Sequence, residues 1–407
     1  MTFATTRLKT VKPSASALIS QKAQTMRASG EDVIDLGLGE PDFDTPSHIV
    51  EAAHRAALDG QTRYPPTGGT KALKDAVRAK FLRDNGLTFS ANEIVVSNGA
   101  KQVIFNALMA TLEDGDEVIL CAPYFDSYRN IVGLLGGSKR IVTCRPENGF
   151  RLQPDDLESV ITNRTRWLIL NAPSNPAGSC YSAEEFRKLG VVLARYPQVL
   201  VLSDEIYEHI TFDGRPFVSF ASACPELAGR ILTVNGVSKA YAMTGWRIGY
   251  GAGPAELIKS MVTVQSQISS GASAISQAAA VEALNGPQAC VEQFRQAFAR
   301  RRDLVIDAIA ETDGLSLITP GGAFYALIDC RRLLGSHARI GTAIDDDVAF
   351  TDFLLAEAGI AAVPGSVYDM PGHFRLSTAT ADDLLKTALA RLLEATKLLT
   401  CPKGAAA

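Results

Sequence analysis

The chain has 407 residues, of which 46% are hydrophobic and 21% charged, and its formal net charge is −4. This is the balance of a globular enzyme, without the basic footprint that nucleic acid or an anionic membrane would call for. The length exceeds what one compact core supports and suits a large domain with a smaller one.

In chain order, Met1 to Pro13 carries basic residues but lacks an apolar core of signal-peptide length. Ser16–Ser29 reads as a helix. From about residue 90, short β-rich runs alternate with amphipathic stretches. The strand candidates are Glu93–Ser97, Glu117–Cys121, Arg166–Leu170, Val199–Ser203, Ile231–Val234 and Arg247–Tyr250. The helices between them are Ala100–Leu112, Phe125–Leu135 and Ala183–Tyr196. Such alternation predicts an α/β architecture with a mainly parallel sheet. After about residue 290 the pattern becomes α+β: helix Val291–Glu311, strands near Leu315–Ile318 and Ala323–Ile328, helix Asp347–Ala358, strands near Ala361–Val363 and His373–Leu376, and helix Ala381–Leu398. Cys401 to Ala407 reads as a frayed tail. The expected division is an N-terminal segment 1–45 belonging to the small domain, a large domain 46–290 and a small C-terminal domain 291–407.

The 7 cysteines are scattered and have no CxxC spacing, the usage of a reducing compartment, with neither a disulfide framework nor a zinc site. No apolar run approaches the ~18 residues of a membrane span. A cytoplasmic protein is expected. The 5 histidines show no metal spacing and no triad partner, and the acidic clusters at 42–45 and 345–347 read as caps and exposed loops.

Chemistry concentrates in Gly236–Gly249, where Lys239 stands among small residues and Arg247 follows eight positions later. A Schiff-base lysine needs an amine that can lose its proton and reach a carbonyl. The neighbouring glycine and serine leave room for a planar partner, and Ser238 and Arg247 can bind an anion. Ligand sites in open α/β sheets gather at the carboxyl ends of strands. There Asn98-Gly99-Ala100-Lys101 opens a helix, a ready phosphate seat that is weak evidence by itself. Asn171 to Gly178 follows another strand end and alone would be a plain turn. Asp204, at a third strand end, alone would be a helix N-cap.

Together these segments resemble the class I pyridoxal-phosphate-dependent aminotransferases over about Lys12 to Leu398, with closest similarity to the bacterial aspartate and prephenate aminotransferases. The order Asn175, Asp204, Tyr207, Lys239, Arg247 reproduces that family's. The resemblance implies transferase fold type I, an α/β large domain with a mainly parallel seven-stranded sheet plus a smaller α+β domain. It also implies pyridoxal 5′-phosphate held covalently by Lys239, Asp204 on the pyridine nitrogen, and Asn175 and Tyr207 on the phenolic oxygen. Phe125 takes the ring-stacking position, where many relatives carry tryptophan. Gly99, Ala100, Lys101, Ser238 and Arg247 cradle the phosphate, and Tyr64 reaches the phosphate of a neighbouring subunit. Arg375 clamps the substrate α-carboxylate in a pocket lined by Gly39, with Lys101 and Ser16 at the distal carboxylate. The implied activity is ping-pong amino transfer between an amino acid, aspartate or glutamate, and a 2-oxo acid, by a homodimer with its active site at the subunit interface. Aromatic, alanine-type or prephenate/arogenate substrates, or a lyase reaction on the same fold, share those cofactor contacts. A regulator with an added DNA-binding region is disfavoured by the short stretch before Pro13, and a nicotinamide enzyme by the lack of a GxGxxG after a strand.

Overall fold

The computed structural model describes residues 3–9, 11–338 and 343–400. The expected tail at Cys401 to Ala407 lies outside them. Strand β1 is Ile34–Asp35. A sheet of seven strands follows: β2 (Ile94–Ser97), β3 (Glu117–Ala122), β4 (Ser138–Thr143), β5 (Thr165–Asn171), β6 (Leu200–Asp204), β7 (Ile231–Gly236) and β8 (Gly249–Ala252), in spatial order β2-β8-β7-β6-β5-β3-β4. All neighbours pair in parallel except β8, which runs antiparallel to both β2 and β7. The last part of the chain builds β9 (Ser316–Leu317), β10 (Tyr325–Asp329), β11 (Ile360–Ala361), β12 (Val363–Pro364) and β13 (His373–Ser377). Of these, β12-β13-β10-β9 form a four-stranded sheet, while β11 pairs with β1.

The central strands are buried on both faces, which is why they read as continuous apolar runs. Alternate residues serve opposite cores. Ile119, Leu168, Leu170 and Val201 pack with helix Ala183–Ala194, whereas Val118, Leu120, Trp167, Ile169 and Leu202 pack toward helices Ala100–Thr111 and Ala255–Ile268. Helix starts follow local chemistry. Ser182 and Glu185 form a reciprocal capping box, and Thr70 accepts the Leu73 N–H at the start of Lys71–Asn85. A separate core gathers β10 and β13 with helices Ala289–Ala310, Asp347–Ala358 and Asp382–Thr396.

Two expectations require correction. Edge strand β4 was not anticipated, because its SKRIVT sequence is exposed except for Val142 and shows no buried face. The strand expected at Arg247–Tyr250 begins instead at Gly249, and Arg247 has φ 59, a left-handed conformation outside any ladder. No helix among the described residues is long and apolar enough to cross a membrane.

Candidate active site

Sheet register places the chemistry. Asn171 pairs with Asp204, Asp204 with Val234, Gly236 with Gly249, and Gly249 with Ser97. The carboxyl ends of β2, β5, β6 and β7 therefore share one edge, where their following loops converge on a cavity of ≈ 280 Å³. Of the residues singled out in the sequence, Ser16, Gly39, Ala100, Lys101, Phe125, Asn175, Asp204, Tyr207, Ser238, Lys239, Arg247 and Arg375 line it. Gly99 lies just behind Arg247. Tyr64 stands apart, 91% exposed.

Lys239 projects from the loop between β7 and β8, and its Nζ donates to the Gly39 carbonyl at 2.6 Å. Burial draws its pKa down to about 8; Glu40 and Asp204 oppose the shift, whereas Arg247 and Arg375 reinforce it. Asp204 moves the other way. Burial raises its carboxyl to about 6, while the Tyr128 hydroxyl at 2.6 Å, the Ile206 N–H and Lys239 favour the ionised form. Tyr207 shares a 2.9 Å hydrogen bond with Tyr325, and burial lifts its hydroxyl pKa well above the ordinary value.

Arg375 is 1% exposed. Its guanidinium donates to Asn175 Oδ1 at 3.0 Å, to Ser16 Oγ at 3.3 Å and to the Gly37 carbonyl, and lies 4.6 Å from the Tyr325 ring centre. Its Nε is buried and has no hydrogen-bond partner among the described residues, so the guanidinium keeps one unsatisfied donor.

Helix Ala100–Thr111 begins behind Gly99, whose φ is 87. A Cβ there would lie 2.3 Å from Arg247 Nη2, so only glycine lets the helix N-terminus and the guanidinium share one concavity. Lys101 is an exposed residue that lines the cavity, and its ammonium lies 5.1 Å from the centre of the Phe125 ring. Its pKa is lowered, chiefly by desolvation, with Asp126 opposing and Arg247 adding to the shift.

Sequence reasoning missed Tyr128, Asn171, Thr244 and Tyr325, all of which line the cavity. Tyr128 lies one helical turn beyond Phe125, a spacing that could have flagged it. Asn171 donates to the Asp204 carbonyl at 2.9 Å and accepts from the Asn175 N–H at 2.7 Å, tying two strand ends together. His209, one of the histidines without metal spacing in the sequence, joins Asp84 and Glu208 in a cluster with ligand atoms within 4.8 Å. The buried Lys80 ammonium pairs with the buried Glu208 there, which makes the cluster an ion-pair network that reaches the surface at Asp84.

An amine and a carboxyl held at opposed proton affinities, an anion seat at a helix start and a buried arginine fork together describe a site for an anionic, amine-reactive ligand. Comparison with known proteins agrees. The family model described as "Aminotransferase class I and II" matches residues 31–392. The chain is 49% identical over 389 residues to the aspartate aminotransferase of Rhizobium meliloti (strain 1021), covering 96% of this chain and 95% of that one. It is 48% identical over 392 residues to the aspartate/prephenate aminotransferase of Cereibacter sphaeroides (strain ATCC 17029 / ATH 2.4.9), covering 96% and 98%. The solved structure of Thermus thermophilus aspartate aminotransferase with maleate superposes with a TM-score of 0.90 at 40% identity, covering 97% of this chain and 100% of that one. The chain belongs to the class I and II aminotransferases.

Proposed function

We propose that the cavity holds pyridoxal 5′-phosphate and transfers an amino group between aspartate or glutamate and a 2-oxo acid. One observation carries this reading: Lys239, drawn down to about 8, and Asp204, raised to about 6, face the same cavity from adjacent loop and strand ends. The residues fit the group. Arg247, Ser238 and the Gly99–Lys101 helix start supply a cationic, N–H-rich concavity for the phosphate. The Phe125 ring offers an apolar wall, and Asn175 and Tyr207 lie where a phenolic oxygen would find donors.

When bound, the cofactor supplies an aldehyde that condenses with amines and a protonated ring that withdraws electrons from the substrate α-carbon. Asp204 would hold the cofactor's ring nitrogen and keep it protonated. Its buried carboxyl is costly to ionise alone and gains from a cation beside it. Arg375 orients the substrate by its α-carboxylate, with a bidentate fork that lysine cannot reproduce. Lys239 Nζ takes the α-proton, a task suited to an amine whose proton affinity lies near neutral. Lys101 and Ser16 meet the distal carboxylate, and the 2-oxo acid leaves before a second one enters. The Thermus aspartate aminotransferase was solved with maleate, a dicarboxylate, which supports acidic substrates here. The Cereibacter relative, an aspartate/prephenate aminotransferase, supports prephenate as a second acceptor.

The assembly belongs to the same proposal: a homodimer in which Tyr64 completes the neighbour's phosphate seat, with segments 1–45 and 291–407 forming the small domain around the large domain 46–290. Single-turnover rates with aspartate, glutamate, phenylalanine, alanine and arogenate test the reading. Aspartate and glutamate should be fastest. Uniformly slow transfer from all five donors would refute it.

A further inference from the structure

The segment from Gly37 to Thr45 runs past the cavity as a strap and lines it at Gly39. Among the described residues it makes no backbone–backbone hydrogen bond, so side chains hold it in place. On its inner side the Gly37 carbonyl accepts from Arg375, the Gly39 carbonyl from Lys239 at 2.6 Å, and the Glu40 carboxylate from Thr244. Clearance is small, since a Cβ on Gly39 would lie 2.3 Å from the Tyr325 hydroxyl.

The outer side is gripped by one arginine on helix Ala289–Ala310. Arg301 forks onto Asp42, Nη1 to Oδ1 at 2.7 Å and Nη2 to Oδ2 at 2.9 Å, and its Nε donates to Asp382 at 2.7 Å. The guanidinium also covers the Phe43 ring at 4.9 Å, and Phe43 stacks on Phe294 at 4.2 Å. A planar fork that is 4% exposed, held by two carboxylates and an aromatic face, fixes position and orientation together.

We infer that Arg301 is a positioning residue for amino transfer: it pins the strap at Asp42 and Phe43, and so holds the Gly39 carbonyl on the Lys239 amine. The inference rests on the role of Lys239 proposed above. Arg301 does not line the cavity and acts only through the strap.

The next residue supplies the control. Arg302 is comparably buried and forks onto Asp213 at 2.6 and 2.8 Å over the Phe212 ring, but its partners Asp213, Asp303 and the Pro320 carbonyl all lie outside the strap. Arg301→Met, Arg301→Lys and Arg302→Met are compared in two assays. In the holoenzyme, Arg301→Met lowers kcat with aspartate about tenfold to a hundredfold, as small misplacements of catalytic groups do. KM changes less, because Arg375 keeps Asn175 and Ser16. In the cofactor-free protein, Lys239 is reductively methylated with formaldehyde and cyanoborohydride across pH and read by mass spectrometry. The wild-type midpoint lies near about 8 and reflects burial first, then Glu40, Arg247, Arg375 and Asp204. Loosening the strap changes both the burial that depresses the amine and the Glu40 charge that opposes it, so the midpoint leaves the wild-type value. Arg301→Lys, which keeps a charge but loses the fork, falls between, and Arg302→Met matches wild type in both assays. Wild-type values in Arg301→Met, or equal losses in Arg302→Met, overturn the inference. If Arg301→Met does not fold, Arg301→Lys decides on the same two readouts. A wild-type protein inactive on all donors sinks the functional reading, while the labelling profile still decides the role of Arg301.

Discussion

Tyr128 donates its hydroxyl hydrogen to Asp204 Oδ2 at 2.6 Å, and both side chains are buried. The pair joins the helix after β3 to the end of β6. It aims the carboxylate while leaving Oδ1 only a 3.3 Å bond from the Ile206 N–H. A buried carboxyl held this way is poised to receive a cation and strained when none is bound.

That strain gives a stability prediction for the cofactor-free protein. Burial raises Asp204 from 3.8 to about 6, so the folded state holds the proton more tightly than the unfolded chain does. The favourable contribution is complete below the unfolded value and is lost as pH rises through about 6. At higher pH, Asp204→Asn should therefore be more stable than wild type by about 1–3 kcal/mol, and the gain should vanish as pH falls toward about 4. Activity should drop by orders of magnitude. Calorimetry across pH checks it, and a less stable Asn variant near pH 8 would contradict it.

Loading of the cofactor should follow the Lys239 amine. Only the neutral amine adds to an aldehyde, and burial sets its midpoint near about 8. The rate of appearance of the visible absorption band should climb about tenfold per pH unit below that midpoint and level above it. Lys239→Ala should develop no such band and lose nearly all turnover while keeping its fold. A pH-independent loading rate would remove this amine from the step.

Lys101→Ala separates two roles for one cation. Losing a partner of a desolvated charge costs ~2–5 kcal/mol, so kcat/KM for aspartate and glutamate should fall about tenfold to a thousandfold or more. Phenylalanine and alanine, with no distal charge, should lose far less. Equal losses in both classes would assign Lys101 to the phosphate seat.

Tyr64 is 91% exposed, which leaves its ring and hydroxyl open to a neighbouring subunit. Light scattering of the wild-type protein should report a dimer, and Tyr64→Phe should release cofactor faster on dialysis without dissociating that dimer. A fully active monomer would be incompatible with a shared site.

The sequence was most legible where burial and function coincide. β3, β5, β6 and β7 are buried on both faces and announce themselves as apolar runs, and β5 and β6 end in Asn171 and Asp204, which line the cavity. β4 was illegible because an edge strand needs no apolar face. Helix Ala274–Asn285 was missed because its many small residues pack on every side and leave no polar stripe. Tyr325 was hidden for another reason. It lies inside an anticipated strand, but only the β10–β13 register, Tyr325 opposite Ser377 and Leu327 opposite Arg375, brings its ring beneath the arginine. Pairing between distant strands is not written in either strand alone.

The reversed direction of β8 has a metric consequence. Because Gly236 and Gly249 are register partners, the loop from Val237 to Ile248 is an arch with both feet on one rung of the sheet. Neither foot can slide. A Cβ at Gly236 would lie 2.9 Å from the Ile248 carbonyl oxygen, and one at Gly249 would lie 2.1 Å from the Ala100 nitrogen. The span between the Lys239 amine and the Arg247 guanidinium is thus inherited from strand pairing, and the sheet acts as a ruler for the length of molecule that can bridge them.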